Sequence, residues 1–462
     1  MGSVEASAIA APRPGATASI EKFLAQQANT GLLRFLTCGS VDDGKSTLIG
    51  RLLYETNALF DDQLAALEAD SKKIGTQGGN LDFALLLDGL TAEREQGITI
   101  DVAYRYFATS RRKFILADTP GHEQYTRNMA TGASTSDVAV LLVDARNGVR
   151  VQSRRHAQIA RLLGISTFVL AINKMDLVDF DRGVFEGIHE EFSGLLHDAR
   201  LHAIPMSALH GDNVITRSER TPWFEGPSLL EYLETVQVDR DVTAKPFRFP
   251  VQLVLRPNLD FRGYAGQIVS GMVRVGDTVA VWPSGRQTRI KRIVTADGDL
   301  DMAFAPMSIT LVLHDEVDVS RGDLIAIGQV DVGTRFEAQV VWMDERPLDP
   351  GRPYLLKHTS RIVSAEISRG LVLNQIGSVA VTTARPLIFD PYEHDRVTGS
   401  FIVIDPATNF TAGAGMIVKA TRDVSPMARP GAAERLARTA RSAATDAEAI
   451  EAVRRALEEM LR

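Results

Sequence analysis

Gly39-Ser40-Val41-Asp42-Asp43-Gly44-Lys45-Ser46 has the form G-x-x-x-x-G-K-S, and its reading decides the fold. An apolar run at residues 32–38 precedes it and a helical run at 47–53 follows it. Strand, glycine-rich turn and helix, in that order, make this pattern a phosphate-binding loop. The glycines let the backbone turn its N–H groups around phosphate oxygens, and the helix N-terminus adds positive potential. Lys45 is placed to reach the β- and γ-phosphates, Ser46 to ligate Mg²⁺, and Thr47 to continue the cradle. The loop fixes a nucleoside triphosphate without identifying the base.

The base is set downstream. Asn173-Lys174-Met175-Asp176 closes the apolar run 168–172. A carboxylate at Asp176 accepts from guanine N1–H and the 2-amino group, where adenine offers an unprotonated N1 and no second donor. A buried acceptor facing an acceptor is costly, so adenine is rejected. Asn173 would brace the loop and the Lys174 stem would cover the ring. Ser207-Ala208-Leu209, after the run 202–206, is read as presenting a backbone N–H to guanine O6.

Between these lies Asp118-Thr119-Pro120-Gly121-His122, after the run 114–117. Asp118 is expected to hold magnesium, and the Gly121 N–H to sense the γ-phosphate, where a side chain would obstruct the approach. His122 is read as the residue that orients the attacking water. Upstream, Arg94-Glu95-Gln96-Gly97-Ile98-Thr99-Ile100 supplies a hydroxyl at Thr99, to complete the magnesium shell and test for the γ-phosphate. Such a segment orders with GTP and loosens after hydrolysis.

Outward from these motifs, residues 31–240 alternate short apolar runs (32–38, 114–117, 138–143, 168–172) with helical patterns. That is the signature of an α/β P-loop domain, a mostly parallel sheet with helices on both faces. Its functional groups then lie in loops at the carboxyl ends of the strands. After residue 240 the strands come close together, with Gly, Pro and Asp-Gly between them, and predict two small all-β barrels at 241–333 and 334–424. Gly276-Asp277 and Arg321-Gly322-Asp323 read as barrel turns. Residues 1–30, rich in Ala, Ser and Pro, read as a disordered tail, and 425–462 as a tail with a helix. In that helix Thr445-x-x-Glu448 offers a capping box, and Ile450, Val453, Leu457 and Met460 an apolar stripe, for the chain's own body or for a partner.

The chain of 462 residues carries 51 Lys and Arg against 58 Asp and Glu, a net charge of −7 that offers no global nucleic-acid footprint. Its one cysteine, Cys38, excludes intrachain disulfides and fits a reducing cytoplasm, with the thiol read as a small buried side chain. The beginning lacks the basic and apolar regions of a signal peptide, Ala6 stands where an acylation signal wants Ser or Thr, and no apolar run reaches the length of a membrane span.

In order, GSVDDGKS, GITI, DTPGH, NKMD and SAL resemble the translational GTPases of the elongation factor Tu and elongation factor 1-alpha type. More specifically, residues 35–53, Arg256-Pro257-Asn258-Leu259-Asp260-Phe261-Arg262-Gly263-Tyr264, Tyr354-Leu355-Leu356-Lys357-His358 and residues 399–406 resemble the GTPase subunit of bacterial sulfate adenylyltransferase. Elongation factors usually carry His where Asp43 stands. The resemblance implies GTP and Mg²⁺ as cofactors and a separate catalytic ATP sulfurylase subunit as partner, in a heterodimer that can assemble further. That subunit makes adenosine 5′-phosphosulfate and pyrophosphate from ATP and sulfate, and GTP hydrolysis drives the uphill step. It makes residues 256–264 and 354–358 candidates for the partner surface, with barrel turns and core strands as the alternative. Some members add an adenylylsulfate kinase with its own P-loop; this sequence has one Gly-Lys-Ser and too few residues after the barrels for a kinase, so it is either the unfused form or a chain cut short. The rival readings are a factor delivering aminoacyl-tRNA and a stand-alone GTPase switch.

Overall fold

The computed structural model describes residues 31–56, 67, 71, 81–86, 101–122, 125–238, 242–258, 261–421 and 449–455. The expectations for residues 1–30, for Thr99 with its neighbours 94–100, and for Thr445, Glu448, Leu457 and Met460 lie outside them. The chain divides into two compact units, Met1–Val238 and Asp239–Arg462.

In the first unit, β1 (Gly31–Cys38), β2 (Ala103–Ala108), β3 (Arg112–Asp118), β4 (Val138–Asp144), β5 (Thr167–Asn173) and β6 (Arg200–Pro205) form one sheet in the order β2-β3-β1-β4-β5-β6. All neighbours run parallel except β2, which pairs antiparallel with β3 at the edge. Every residue of β4 and β5 is buried, as continuous apolar strands must be when both sheet faces are covered. β2 alternates instead, leaving Tyr104 and Tyr106 exposed. The covering helices are α1 (Lys45–Glu55), α2 (Thr126–Ser134), α3 (Val151–Leu162), α4 (Arg182–Leu195) and α5 (Leu229–Thr235). α4 starts on Asp181, whose side chain accepts from the Val184 N–H, and α5 on a Ser228–Glu231 capping box. α1 starts on Gly44 with no side-chain cap, so its first N–H groups turn into the phosphate loop. β1, β3, β4 and β5 each end on Cys38-Gly39, Asp118, Asp144 and Asn173, and the loops that follow carry the motifs.

The second unit holds two barrels. In the first, β7 (Arg248–Asn258), β8 (Phe261–Gln267), β10 (Thr278–Trp282), β11 (Arg286–Thr295), β14 (Ser308–Leu313) and β15 (Leu324–Ala326) follow the order β10-β15-β7-β8-β14-β11, and a β10–β11 pairing closes the ring. Short β9 (Met272–Arg274) pairs β13 (Met302–Phe304), and β12 (Gly298–Leu300) pairs β11. Gly276 and Gly322 take positive φ at the two turns read from the sequence. In the second, β16 (Asp331–Trp342), β17 (Tyr354–His358), β18 (Arg361–Ile367), β19 (Ile376–Phe389), β20 (Ser400–Ile404) and β21 (Thr411–Ala420) close as β16-β19-β18-β17-β20-β21. Alternation along β18 and β19 sends Val363, Ala365, Val379 and Val381 inward against Phe336, Phe389 and Phe401.

The barrels meet through Leu324, Ala326 and Ile388, beside a buried ion pair. Arg248 Nε and Nη2 donate to the two oxygens of Asp390 at 2.9 Å each, and the other donors go to the carbonyls of Phe247, Ile327 and Gln329. Arg361 Nη2 adds a second link, 2.6 Å from Asp323 Oδ1. Residues 449–455 form a helical turn with Ile450 exposed.

Candidate nucleotide site

The phosphate loop is a self-braced turn. Asp42 and Gly44 take positive φ, and the Ser40 N–H donates to Asp43 Oδ2 at 2.7 Å, tying the loop across its base. Burial pushes the Asp43 carboxyl up to about 6 although the Lys45 charge works the other way. Lys45 Nζ donates to the carbonyls of Gly39, at 3.2 Å, and Ser40, at 2.7 Å, so the ammonium is held in the mouth of its own loop. Burial lowers its pKa, opposed by the carboxylates of Asp43 and Asp118. Val41 and Ser46 are half-buried beside it. Behind the loop, Cys38 is fully buried and its thiol pushed up to about 12, which makes it a packing residue and not a nucleophile.

The second motif meets the first at Lys45. Asp118 is 2% exposed at the end of β3, and Thr119 Oγ1 donates to the Thr37 carbonyl at 2.7 Å, pinning the turn to β1. A Cβ on Gly121 would lie 2.5 Å from Lys45 Nζ and 2.9 Å from the Gly39 carbonyl, so only glycine lets this backbone come so close. Pro120 is buried and His122 half-buried, its ring 5.9 Å from that of Tyr125. Asp118 and Ser46 are hard oxygen donors, and no cluster of three or more His, Cys, Asp or Glu able to hold a metal is found among the described residues. That set fits magnesium, which takes one or two protein oxygens and completes its shell with phosphate and water, and does not fit a protein-caged transition metal.

The base motifs join the same site through one side chain. Asn173 Nδ2 donates to the Asp43 carbonyl at 2.8 Å, and its Oδ1 accepts the Ala208 N–H at 2.9 Å. A Cβ on Gly44 would lie 2.4 Å from that amide, so the phosphate loop is packed directly on the base motif. Lys174, at positive φ, donates to the Asp42 carbonyl and lies 3.1 Å from Asp144 Oδ2. Burial disfavours the Asp144 charge, yet hydrogen bonds from Arg146 and Lys174 outweigh it and hold the carboxyl at about 2. The Met175 N–H donates to the Met206 carbonyl, and Asp176 Oδ2 lies 3.7 Å from His210 Nε2, so the loops after β5 and β6 converge. Ser207 and Ala208 are buried and Leu209 half-buried.

Sequence reasoning missed three contributors. His156 of α3 is fully buried, and its Nδ1 accepts the Gly39 N–H at 3.2 Å while Nε2 faces Gln152 at 2.9 Å. Burial and the Lys45 charge lower its pKa to about 3, leaving a neutral ring. Ser153 Oγ lies 3.1 Å from Ser40 Oγ. Arg51 of α1 reaches the loop after β6. His156 and Ser153 belong to no motif, and Arg51, though inside the segment 35–53, is not a residue of the phosphate-loop pattern, so spacing carried no signal for their roles. Among the segments proposed as partner surface, Tyr354, Leu356 and His358 point into the second barrel, where His358 Nε2–H donates to the Thr398 carbonyl at 2.7 Å. Lys357, between them, is exposed. Arg256, Pro257 and Asn258 are exposed at the tip of the β7–β8 hairpin.

The model of the elongation factor Tu GTP binding domain matches residues 30–239, and that of the GTP-eEF1A C-terminal domain-like family matches residues 335–418. Sulfate adenylyltransferase subunit 1 of Teredinibacter turnerae is 54% identical over 422 residues, covering 87% of this chain and 90% of its own length. The protein of the same name from Bacteroides thetaiotaomicron is 53% identical, covering 86% and 88%. The bifunctional enzyme NodQ of Rhizobium sp. strain N33 is 54% identical over 88% of this chain but only 66% of its own length.

Proposed function

Since this chain belongs to the sulfate adenylyltransferase subunit 1 family, we propose that it couples GTP hydrolysis to the making of adenosine 5′-phosphosulfate and pyrophosphate from ATP and sulfate by a separate catalytic subunit, with which it forms a heterodimer. Its elongation factor Tu type GTP-binding domain supplies the GTPase half of that reading. The observation that carries the site is the Asn173 amide, which joins the phosphate loop at Asp43 to the Ser207-Ala208-Leu209 loop at Ala208. One side chain thereby ties the phosphate loop to the segment read as the base loop.

Lys45 and the N–H groups of the loop bind the phosphates, and Asp176 takes the guanine N1–H and 2-amino donors. The Gly121 N–H meets the γ-phosphate, and His122 orients the attacking water. Ser46, Asp118 and Thr99 would hold magnesium, which neutralises phosphate charge when bound. The division that goes with this reading is 31–240 for the nucleotide domain, 241–333 and 334–424 for the barrels, and a cytoplasmic setting that suits a lone buried thiol. Among the described residues no helix is long and apolar enough to cross a membrane.

Coupling needs two states of the GTPase that bind the partner differently. GTP turnover should therefore be slow for the chain alone and rise when the catalytic subunit, ATP and sulfate are all present. A steady-state phosphate-release assay with each component omitted in turn tests this. A rate indifferent to those additions removes the sulfate-activation reading and leaves a GTPase.

A further inference from the structure

We infer that Arg51 is a positioning residue for recognition of the purine 6-position, a reading that rests on the guanine site described above. Arg51 sits on α1, in the helix that begins at Lys45, yet its guanidinium leaves that helix. Nε donates to the Ala208 carbonyl at 2.6 Å, and Nη2 donates to the Leu209 carbonyl. Nη1 is held by Glu55 Oε1 at 2.6 Å, and the guanidinium carbon stacks 4.6 Å from the Phe83 ring centre. The arginine is thus fixed from below by a carboxylate and from one face by an aromatic ring, while two of its nitrogens grip consecutive peptide groups of the base loop. The loop closes tightly around it. The Gly211 N–H donates to the Ser207 carbonyl at 2.8 Å, and a Cβ on Gly211 would lie 3.0 Å from Arg51 Nη1.

The consequence follows from peptide planarity. In a trans peptide the C=O and the next N–H point in opposite directions, so a donor that fixes one carbonyl fixes the N–H across from it. Holding the Ala208 carbonyl orients the Leu209 N–H, and holding the Leu209 carbonyl orients the His210 N–H, which is itself 3.3 Å from Ser207 Oγ. The Ala208 N–H is set from the other side by Asn173. Every peptide of Ser207-Ala208-Leu209 is therefore oriented by a side chain from the phosphate loop's own helix or from the base motif. In the proposed site Asp176 reads positions 1 and 2 of the ring and the Ser207-Ala208-Leu209 loop reads position 6, so the two contributions can be separated experimentally with base analogues.

The test compares four proteins, wild type, Arg51→Ala, Arg51→Lys and Asp176→Asn, for affinity toward GTP, 6-thio-GTP and ITP. 6-Thio-GTP keeps the N1–H and 2-amino donors and weakens only the acceptor at position 6. ITP keeps the 6-oxygen and lacks the 2-amino group. Arg51→Ala should cut the preference for GTP over 6-thio-GTP by about tenfold, on the scale of one well-placed hydrogen bond, while the preference for GTP over ITP stays within about twofold. Arg51→Lys, which keeps the charge but cannot span two carbonyls, should lose part of the same preference. Asp176→Asn should show the reverse pattern. An unchanged 6-oxygen preference in both Arg51 variants overturns the inference, and so does an equal fall of both ratios, which would make the arginine a general brace. A wild type that prefers GTP over neither analogue instead sinks the guanine site itself.

Discussion

Two buried cations in this molecule are handled in opposite ways. Arg248, between the barrels, is 4% exposed and meets a full carboxylate at 2.9 Å through two nitrogens, with its remaining donors on three carbonyls. Lys45, in the nucleotide domain, is 8% exposed, and its acceptors are two neutral carbonyls of its own loop. The first charge is satisfied within the fold, so the cation belongs to the architecture. The second is held by weaker dipoles beside Asp43, a carboxyl whose own ionisation is hampered. Asp43 and Asp118 act on Lys45 through space but do not pair with it directly, and a buried cation without a directly bonded countercharge is costly, a cost that an arriving polyphosphate offsets. Completeness of pairing separates a structural charge from a binding one.

The sharpest way to break this contrast is to remove the structural cation. Arg248→Ala leaves the Asp390 charge buried with only the Thr398 hydroxyl donating to it, and the carbonyls of Ile327 and Gln329 without the arginine, and should destabilise the barrel unit by about 3–5 kcal/mol. Urea unfolding gives the loss, and GTP affinity should not follow it. Arg248→Met combined with Asp390→Leu should recover most of the stability, because an apolar pair of similar volume needs no countercharge. A cost under about 1 kcal/mol for the alanine variant would mean that Leu324, Ala326 and Ile388 hold the junction by themselves.

On the binding side, Asp176→Asn exchanges an acceptor for a donor at the purine 2-position. It should weaken GTP and favour the xanthosine nucleotide, a swing of about 10³-fold in relative affinity, since each ligand then meets either matched or opposed polar groups. Competition binding measures it, and an undisturbed guanine preference would remove Asp176 from the base site.

These two regions also differ in how well they could be read from the sequence. The phosphate loop, the β strands that end on Asp118 and Asn173, and the base motif are contiguous, so local chemistry announces them. The closely spaced strand-like runs with Gly, Pro and Asp-Gly between them likewise announced two β barrels after residue 240. Arg248 and Asp390 lie 142 positions apart and belong to no pattern, and their pairing exists only after both barrels have closed. The same holds inside the nucleotide domain. His156 reaches Gly39 across 117 positions and Arg51 reaches Ala208 across 157. A histidine or an arginine on an amphipathic helix reads as an ordinary surface residue. Contacts that support a motif from behind depend on how helices pack, which single-sequence periodicity does not encode. In the segment 354–358, Tyr354, Leu356 and His358 fill the barrel while Lys357 between them is exposed, an alternation that only the closed barrel makes visible.

The contrast can be sharpened at the reacting end of the site. His122→Ala should keep GTP affinity within about twofold and slow single-turnover hydrolysis by about 10²-fold, because a water-orienting group acts in the transition state and not in ground-state binding. Equal loss of affinity and rate would make His122 a structural support for the Gly121 turn.

The smallest effect tests the support behind the loop and depends on pH. His156 accepts the Gly39 N–H through Nδ1, so protonating Nδ1 would set two donors against each other. Its folded pKa lies near 3 against an ordinary 6.5, so the unfolded chain binds this proton more readily. Stability is then complete above about 6.5 and falls as pH drops toward 3, with a slope from this group of at most about 1.4 kcal/mol per pH unit. His156→Gln keeps an acceptor for Gly39 and removes the titration. The variant should be less stable than wild type by about 1 kcal/mol at pH 7.5, and the gap should close near pH 6 and reverse by pH 5, where wild type has lost about 2 kcal/mol from this group. The urea midpoint of the nucleotide domain can be followed at Trp223, whose indole donates to the Phe180 carbonyl, in a background with Trp282→Phe and Trp342→Phe. A gap that stays constant between pH 7.5 and 5 would mean that acid stability is decided elsewhere, and that the phosphate loop does not rest on an imidazole held neutral behind it.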